Sequence, residues 1–286
     1  MKKLFILLML IVLLLTPAIP ASAAQPEAAA SATTWKYVAL GDSLAVGVGS
    51  SSCFLAIFSC NGYVSRYKTA VQSGAGVTVS LSNLGQSGWT STNLLNALKT
   101  NSSFINGVKA AQVVTIDIGG NDLKNARDSY KKKTCGGTDN QNCLRTAVAT
   151  FKSNYLAILN SVLTLRGISN TTITNTVIRT MDVYNPYVGA DSATNTWSDT
   201  TETAPYKGND FIVFKAYLDD ANKYVADTAT AKNIPYARVY ATFNGSAGTD
   251  DPVAKGWIYS DGLHPNDTGY QKIADQFAAL NYAPLH

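Results

Sequence analysis

The sequence predicts an α/β protein in which a parallel β-sheet of about five strands is covered by helices on both faces. Five short segments rich in Val, Ile, Thr and Tyr are typical of buried strands. The segments between them repeat apolar residues with a 3.6-residue period, which predicts amphipathic helices. Because strands and helices alternate, consecutive strands should run parallel and be joined by helical crossovers.

The elements follow in order along the chain. Strands are predicted at Lys36–Leu40, Val77–Leu84, Gln112–Ile118, Thr172–Val183 and Pro235–Thr242. Helices are predicted over residues 61–72, 90–99, 143–166, 211–225 and 270–280. Asn266 or Asp267 is the expected N-cap of the last helix.

The N-terminus predicts a secretory signal peptide over residues 1–23. Lys2 and Lys3 precede an apolar run from Leu4 to Leu15, and Ala21-Ser22-Ala23 forms a small-residue cleavage site. The apolar run is shorter than the roughly 18 residues of a membrane span. An Ala-rich linker over residues 24–34 and a single domain over 35–286 are expected to follow. The protein should therefore be secreted, without a stable membrane span after cleavage.

Composition narrows the function classes. The 286 residues are 15% charged, below the roughly 25% of an average soluble domain. The formal charge of +4 includes the two lysines of the leader, which is too weak for a dedicated nucleic-acid binder. The chain has 2 histidines, which nearly excludes a multi-histidine metal site. No metal or cofactor is expected.

Polar, turn-forming segments follow the predicted strands. They are Gly41–Leu44, Asn83–Thr90, Gly119–Asp122 and Ser260–Asn266. In a parallel sheet the carboxyl ends of the strands share one edge, where active sites of α/β proteins lie. These four segments should therefore meet.

One of these segments carries a candidate base and another a candidate nucleophile. His286 is the last residue and is expected to be frayed, so His264 is the only plausible base. Asp261 stands three residues earlier, and Gly262 allows a tight turn that holds its carboxylate against the imidazole. Ser43 supplies a hydroxyl for the histidine to deprotonate.

Donors for an oxyanion are also present. The Ser43 and Gly88 peptide N–H groups and the Asn121 side-chain amide could donate to it. Each residue also has an ordinary explanation, as an N-cap serine, a turn glycine, a capping asparagine or a helix-flanking histidine. Their joint occurrence at strand ends favours a catalytic role. Asp42 is interpreted as bracing its loop.

In these four blocks the chain resembles the SGNH hydrolases, also called the GDSL lipase/esterase family. Ser43 lies in GDSL, Gly88 in NLGQSGWT, Asn121 in GGND and His264 in DGLHPN, over residues 41–266. The resemblance implies a flavodoxin-like, three-layer α/β/α sandwich. It also implies metal-free hydrolysis of carboxylic esters through an acyl-enzyme on Ser43. The implied triad is Ser43–His264–Asp261, with Ser43, Gly88 and Asn121 forming the oxyanion hole.

Other enzyme classes fit less well. An α/β-hydrolase would have G-x-S-x-G in mid-chain, but here Ala45 replaces the second glycine. A dinucleotide site is weak because Ser52 stands where G-x-G-x-x-G needs glycine. A glycosidase built on paired aspartates would leave Ser43 and His264 without a role.

The four cysteines indicate two disulfides in an exported protein. Three pairings are possible, and the local pairs Cys53–Cys60 and Cys135–Cys143 are favoured because each pair is close in sequence. A zinc site lacks the usual ligand spacing.

Three segments bear on the substrate. The Cys53–Cys60 loop carries Phe54, Leu55, Ile57 and Phe58, which form either an acyl-binding wall or lid or a loop that closes the sheet edge. The Lys-rich segment Asn125–Cys143 is interpreted as a solvated loop pinned by a disulfide. Residues 184–210 hold Tyr184, Tyr187, Trp197 and Tyr206, which could stack on sugars or pack on the surface.

Two enzyme hypotheses remain: a lipase or simple esterase, and a carbohydrate acetylesterase. A non-catalytic secreted binding protein on the same fold is a third. The expected partner is a small-molecule or lipid ester, with no nucleic acid, and a monomer is expected. The sequon Asn266-Asp267-Thr268 lies beside the His264 block, where a glycan would obstruct the site, which favours a bacterial source.

Overall fold

A computed structural model describes residues 33–51, 60–169, 172–197 and 208–285. All of them belong to one compact unit, residues 32–286. The predicted signal peptide and residues 24–32 of the predicted linker lie outside the described residues. Thr34, the last residue assigned to that linker, already belongs to the first strand.

The central sheet has five parallel strands, which confirms the predicted class. They are β1 (Thr34–Leu40), β2 (Thr78–Asn83), β3 (Val113–Ile116), β4 (Val177–Met181) and β5 (Tyr236–Ala237). Their spatial order is β2-β1-β3-β4-β5. The chain leaves β1 for β2 on one side and then crosses to β3 on the other. The carboxyl ends of β1 and β3 therefore form the switch point at which α/β sheets bind ligands.

Ten helices occur within the described ranges. They are α1 (Ser43–Val46), α2 (Tyr63–Ala75), α3 (Ser91–Thr100), α4 (Ser102–Ala110), α5 (Gly120–Lys131), α6 (Asn142–Leu165), α7 (Val188–Ser192), α8 (Asp210–Ala231), α9 (Val239–Asn244) and α10 (Asp267–Ala278). The side chains of Asn101, Asn209 and Asn266 accept N–H groups in the first turns of α4, α8 and α10. Asn266, one of the two predicted caps, is the N-cap of α10.

The sheet is covered on both faces. In β1, Val38 and Leu40 point to a core that includes α3, α4, α5, α6 and α8. Tyr37 and Ala39 point to a second core shared with α2, α9 and α10. Alternate residues of one strand thus enter opposite layers, as expected for a buried parallel strand. The three-layer sandwich is confirmed.

The predictions for the second to fifth strands were too long, and those for the fourth and fifth differ most from the structure. The fourth strand spans Val177–Met181 instead of Thr172–Val183, and the fifth ends at Ala237. Val239–Asn244 is a helix rather than the end of a strand. Its first turn is stabilised by the neighbouring strand end, because the Asp182 carboxylate accepts the Tyr240 N–H at 2.7 Å.

The interpretation of residues 125–143 as a solvated loop was wrong in its first half, where Asn125–Lys131 continues α5. Leu123, Ala126 and Tyr130 of this helix are buried in the core. The Lys131 Nζ is bound to Asp210 at 2.5 Å rather than solvated. The turns that follow are closed by the Cys135–Cys143 disulfide, as predicted. Cys53 lies outside the described residues, so its pairing with Cys60 stays a prediction.

Candidate active site

The nucleophile candidate Ser43 stands at the first residue of α1, directly after the carboxyl end of β1. Asp42 is the N-cap of this short helix, and its Oδ1 accepts the Leu44 N–H at 3.0 Å. The hydroxyl of Ser43 lies at the edge of the sheet, with 9% of the residue exposed. The turn thus places the Ser43 hydroxyl in the wall of a cleft, within an otherwise buried segment.

The three residues of the predicted triad lie together. The Oγ of Ser43 is 2.8 Å from the Nε2 of His264, and the Nδ1 of His264 is 2.6 Å from the Oδ2 of Asp261. The Oδ1 of Asp261 accepts the N–H groups of Leu263 and His264 at 2.9 and 3.0 Å. One carboxylate therefore orients the imidazole and closes the turn that carries it.

These hydrogen bonds also set the charge of Asp261. Partial burial raises the pKa of its carboxyl, but the bonds from the His264 ring and from the two peptide N–H groups outweigh burial. The pKa of Asp261 is therefore lower than that of an ordinary aspartate. A charged acceptor at this place stabilises the imidazolium that forms when His264 takes a proton.

The segment carrying His264 is fastened to the rest of the domain at a few points. Ile258 and Pro265 form an isolated antiparallel bridge, within which the Tyr259 N–H donates to the His264 carbonyl at 2.8 Å. The Tyr184 hydroxyl donates to the Leu263 carbonyl at 2.6 Å. Tyr184, from the segment after β4, thereby holds the histidine turn.

Asn121 lies in the first turn of α5, just after β3. Its Nδ2 donates to the Trp89 carbonyl at 2.9 Å and to Asp42 Oδ2 at 3.3 Å. These bonds join the segments after β1, β2 and β3. They also confirm the expectation that Asp42 braces the loop. Gly88, which precedes Trp89, is exposed and has a φ of +80°, a conformation that favours glycine.

A residue that the sequence analysis missed lies beneath the nucleophile. Asp117, after β3, is fully buried, and its Oδ1 accepts the Asp42 N–H at 2.9 Å. It fills the space under Gly41, where a Cβ would lie 1.6 Å from that oxygen. Burial raises the pKa of Asp117 well above the usual range and that of Asp42 to about 7. The sequence signal that could have revealed Asp117 is a carboxyl within the apolar run that precedes GGND.

A cleft opens beside Ser43 and Asn121, and its empty volume of about 490 Å³ includes space that is open to solvent. Its lining is mostly apolar: Leu44, Leu123, Val183, Tyr184, Pro186, Tyr187, Phe214 and Leu263, with Asp42, Ser43, Gly120, Asn121, Lys124 and His264. Of the aromatic residues in 184–210, Tyr184 and Tyr187 line this cleft and Trp197 packs against the core. Tyr206 and the predicted acyl wall of Phe54, Leu55, Ile57 and Phe58 lie outside the described residues.

Across the described ranges, no three His, Cys, Asp or Glu side chains are grouped to hold a metal ion. In the same ranges, no helix has the length and apolarity needed to span a bilayer.

Comparisons with known proteins agree with this architecture. The spore germination lipase LipC of Bacillus licheniformis is 26% identical over 253 residues, covering 88% of this chain and 99% of the lipase. The lipase Lip_vut3 from a goat rumen metagenome superposes with a TM-score of 0.66 at 25% identity, covering 88% of this chain and all of that one. The acetylxylan esterase Axe2 of Geobacillus stearothermophilus shares the fold, with a TM-score of 0.56 at 18% identity over 87% of this chain and 94% of its own.

The sequence itself assigns the family. Residues 39–272 match the GDSL-like Lipase/Acylhydrolase family, a range that includes Ser43, Gly88, Asn121 and His264. This range also contains strands β2 to β5 and the last two residues of β1. The chain belongs to the GDSL-like Lipase/Acylhydrolase family.

Proposed function

We propose that the protein hydrolyses carboxylic esters through an acyl-enzyme on Ser43. The observation that carries this proposal is the unbroken hydrogen-bonded series from Ser43 Oγ to His264 to Asp261, at 2.8 and 2.6 Å. A nucleophile within reach of a base that is itself oriented by a carboxylate is the arrangement that serine catalysis needs.

The reaction has two steps. His264 Nε2 takes the Ser43 proton while Oγ bonds to the ester carbonyl carbon, and the carbonyl electrons move to oxygen. The imidazolium then protonates the leaving alcohol as the C–O bond breaks. In the second step His264 takes a proton from water, the hydroxide attacks the acyl-enzyme, and the acid leaves with Ser43 reprotonated.

The oxyanion of each step would accept the peptide N–H groups of Ser43 and Gly88 and the Asn121 amide. In the structure the Asn121 amide donates to Trp89 and, at the longer distance of 3.3 Å, to Asp42. The longer of these bonds is the one an oxyanion would replace. Removing one such donor typically lowers kcat by about 10²- to 10³-fold.

The test is hydrolysis of nitrophenyl esters by the wild type and by Ser43→Ala. Loss of the nucleophile should lower kcat by about 10⁴- to 10⁶-fold. Ser73→Ala is the matched control because Ser73 lies on the exposed face of α2 and bonds to the Thr69 carbonyl. A fluorophosphonate should label the wild type and the control, but not Ser43→Ala. Near-normal turnover by Ser43→Ala would refute the proposal.

A carbohydrate acetylesterase is the second candidate. It is favoured by the placement of Tyr184 and Tyr187 in the cleft wall, since aromatic rings can stack on sugars. Release of acetate from acetylated xylan, measured beside hydrolysis of the nitrophenyl esters, tests this second candidate.

We also propose that residues 1–23 direct secretion. The test is to isolate the protein from the culture medium and determine its N-terminal sequence.

A further inference from the structure

The cleft beside Ser43 has a wall whose construction bears on substrate choice. Its apolar side chains come from separate parts of the fold: Leu123 from α5, Val183 and Tyr187 from the segment after β4, Phe214 from α8, and Leu263 from the histidine turn. Few polar groups face this side, so a sugar's hydroxyl groups would lose their hydrogen bonds to water there without finding new partners. An aliphatic chain would lose none.

Tyr187 stands in this wall between two neighbours. The guanidinium carbon of Arg127 lies 3.7 Å from the centre of its ring. The Phe214 ring meets it edge-on, with the ring centres 6.0 Å apart. The Tyr187 N–H donates to Asn185 Oδ1 at 2.9 Å. A cation over one face of the ring and a second aromatic ring at its side fix the orientation of this residue.

Arg127 is itself locked in place. Its Nε and Nη2 donate to the two carboxylate oxygens of Asp191, at 2.7 and 2.5 Å, and Asp191 is fully buried. The Lys131 Nζ lies 3.4 Å from the same carboxylate and 2.5 Å from Asp210. A bidentate pair within such a network leaves the guanidinium little freedom. The ring of Tyr187 is therefore a rigid boundary rather than a movable flap.

The site's chemistry indicates which part of an ester enters this cleft. His264 must protonate the leaving alcohol, so the alcohol lies on the side of the imidazole. There Tyr259, Ser260 and Asp261 are exposed, and the alcohol can extend into solvent. The cleft is lined by Asn121, Leu123 and Phe214, and Leu263 and His264 also contribute to its wall. With the alcohol extending into solvent, the acyl group is the part of the ester left to enter the cleft.

We propose that this cleft binds the acyl group of an aliphatic ester, and that the ring of Tyr187 limits the length of the chain it accepts. This inference rests on the proposed function and names the substrate class of the same site. The preferred substrates are therefore expected to be esters with acyl chains of medium length. Arg127 acts as a positioning residue, because it touches the ring and not the substrate.

The experiment compares kcat/KM for the nitrophenyl esters of acetic, butanoic, octanoic and palmitic acids. The wild type should prefer butanoate and octanoate to palmitate. Tyr187→Ala should raise the palmitate-to-butanoate ratio by about tenfold or more, since each methylene that gains or loses a pocket contact changes discrimination on this scale. Tyr187→Phe keeps the ring and should keep the wild-type profile.

Tyr224→Ala is the matched control. Tyr224 is half-buried under the Nζ of Lys152, 5.6 Å from its ring centre, and does not line the cleft. Tyr224→Ala should leave the palmitate-to-butanoate ratio within about twofold of the wild-type ratio. In a second series the acyl group is held as acetate and the length of the alcohol is varied. Tyr187→Ala should leave that series unchanged.

Three results would overturn the inference. The first is a wild type whose kcat/KM is highest for the palmitate ester. The second is a Tyr187→Ala variant whose kcat/KM falls by the same factor for all four acyl esters. The third is a Tyr187→Ala variant whose kcat/KM changes only in the series in which the alcohol is varied. Each of them leaves the proposed nucleophile intact, because that is tested separately by Ser43→Ala. Retained activity in Ser43→Ala would instead refute the proposed function.

Discussion

The two halves of the candidate active site are held by different kinds of structure. The nucleophile half, Gly41–Ser43, is buried at the end of β1 and bound through the Asp42 N–H to the buried carboxyl of Asp117. The base half, Asp261–His264, is a surface turn in which the Asp261 side chain is 36% exposed. It is held by its own hydrogen bonds, by one short bridge and by Tyr184.

This difference suggests how each half responds to substitution. The nucleophile must keep a fixed position relative to the oxyanion donors, which come from the same sheet edge, so its surroundings belong to the core. The base needs only to reach Ser43 in the correct orientation, which a hydrogen-bonded turn can provide. Apart from loss of the Ser43 hydroxyl itself, changes in the first half should therefore act mainly on stability, and changes in the second mainly on catalysis.

Among the variants that compare how the two halves are held, the largest expected effect is on the base half. Asp261→Asn should lower kcat by about 10³- to 10⁴-fold, because the histidine loses its charged partner and its preferred tautomer. The melting temperature should stay near that of the wild type. Kinetics and thermal unfolding of Asp261→Asn beside Asp275→Asn, an exposed aspartate on α10, check this. A loss of less than tenfold would contradict the assignment of the orienting acid.

Two glycine substitutions compare the halves directly. In Gly41→Ala the new Cβ would collide with the Asp117 carboxyl, which should destabilise the fold by about 3 kcal/mol or more. In Gly262→Ala no atom lies within 4 Å of the new Cβ, and the strain of a φ of +70° should cost about 1 kcal/mol. Urea unfolding measures both. Equal losses of unfolding free energy in the two variants would contradict the idea that the nucleophile half is part of the core and the base half is not.

A smaller effect is expected where Tyr184 holds the base half to the rest of the domain. Tyr184→Phe removes the hydrogen bond to the Leu263 carbonyl and should cost about 1 kcal/mol of stability. It should also lower kcat several-fold with little change in KM, because the histidine turn loses a support. Tyr155→Phe removes a comparable buried bond, to Thr180, away from the site. An equal loss of kcat in both variants would mean that the loss follows from removing any buried hydrogen bond, and would contradict a specific role for Tyr184 in holding the histidine turn.

The last expected effect concerns pH. Burial raises the pKa of Asp117, so its ionisation is less favourable in the folded than in the unfolded protein. This contribution to stability is present at acid pH, below about 4, and is lost as the pH rises from there towards the folded-state pKa. Asp117→Asn keeps an acceptor for the Asp42 N–H and cannot ionise. Its unfolding free energy should fall less between about pH 5 and pH 8 than that of the wild type, and an equal fall would contradict a buried carboxyl of raised pKa.

A structural feature could be predicted from the sequence when the residues that determine it are close together in the chain, and was missed when they are far apart. Ser43, Asn121 and His264 were predictable because each stands in a local pattern after a strand or before a helix. Helix α5 was missed because the partners of Arg127 and Lys131, Asp191 and Asp210, lie 60 or more positions away. Such pairings become visible only in the folded chain.

The same reason explains the other differences. Residues 239–242 have the composition of a strand, but a carboxylate on the adjacent strand end, Asp182, stabilises a helical turn there. Asp117 carried only the signal of a carboxyl within an apolar run, since its partner is a peptide N–H 75 residues earlier. The apolar cleft is likewise assembled from five segments of the chain. By contrast, the predicted wall at Phe54 to Phe58 lies outside the described residues and stays a prediction.

The separation between Ser43 and His264 affects when activity can arise during synthesis. These two residues are in contact across 221 positions of the sequence. Chains are made from the N-terminus, and the earlier segments of a domain leave the ribosome first. The nucleophile therefore emerges long before its base, and a nascent chain that ends before residue 264 cannot activate Ser43 through this histidine. Catalytic competence would be acquired late, when the segment before α10 docks against the completed sheet.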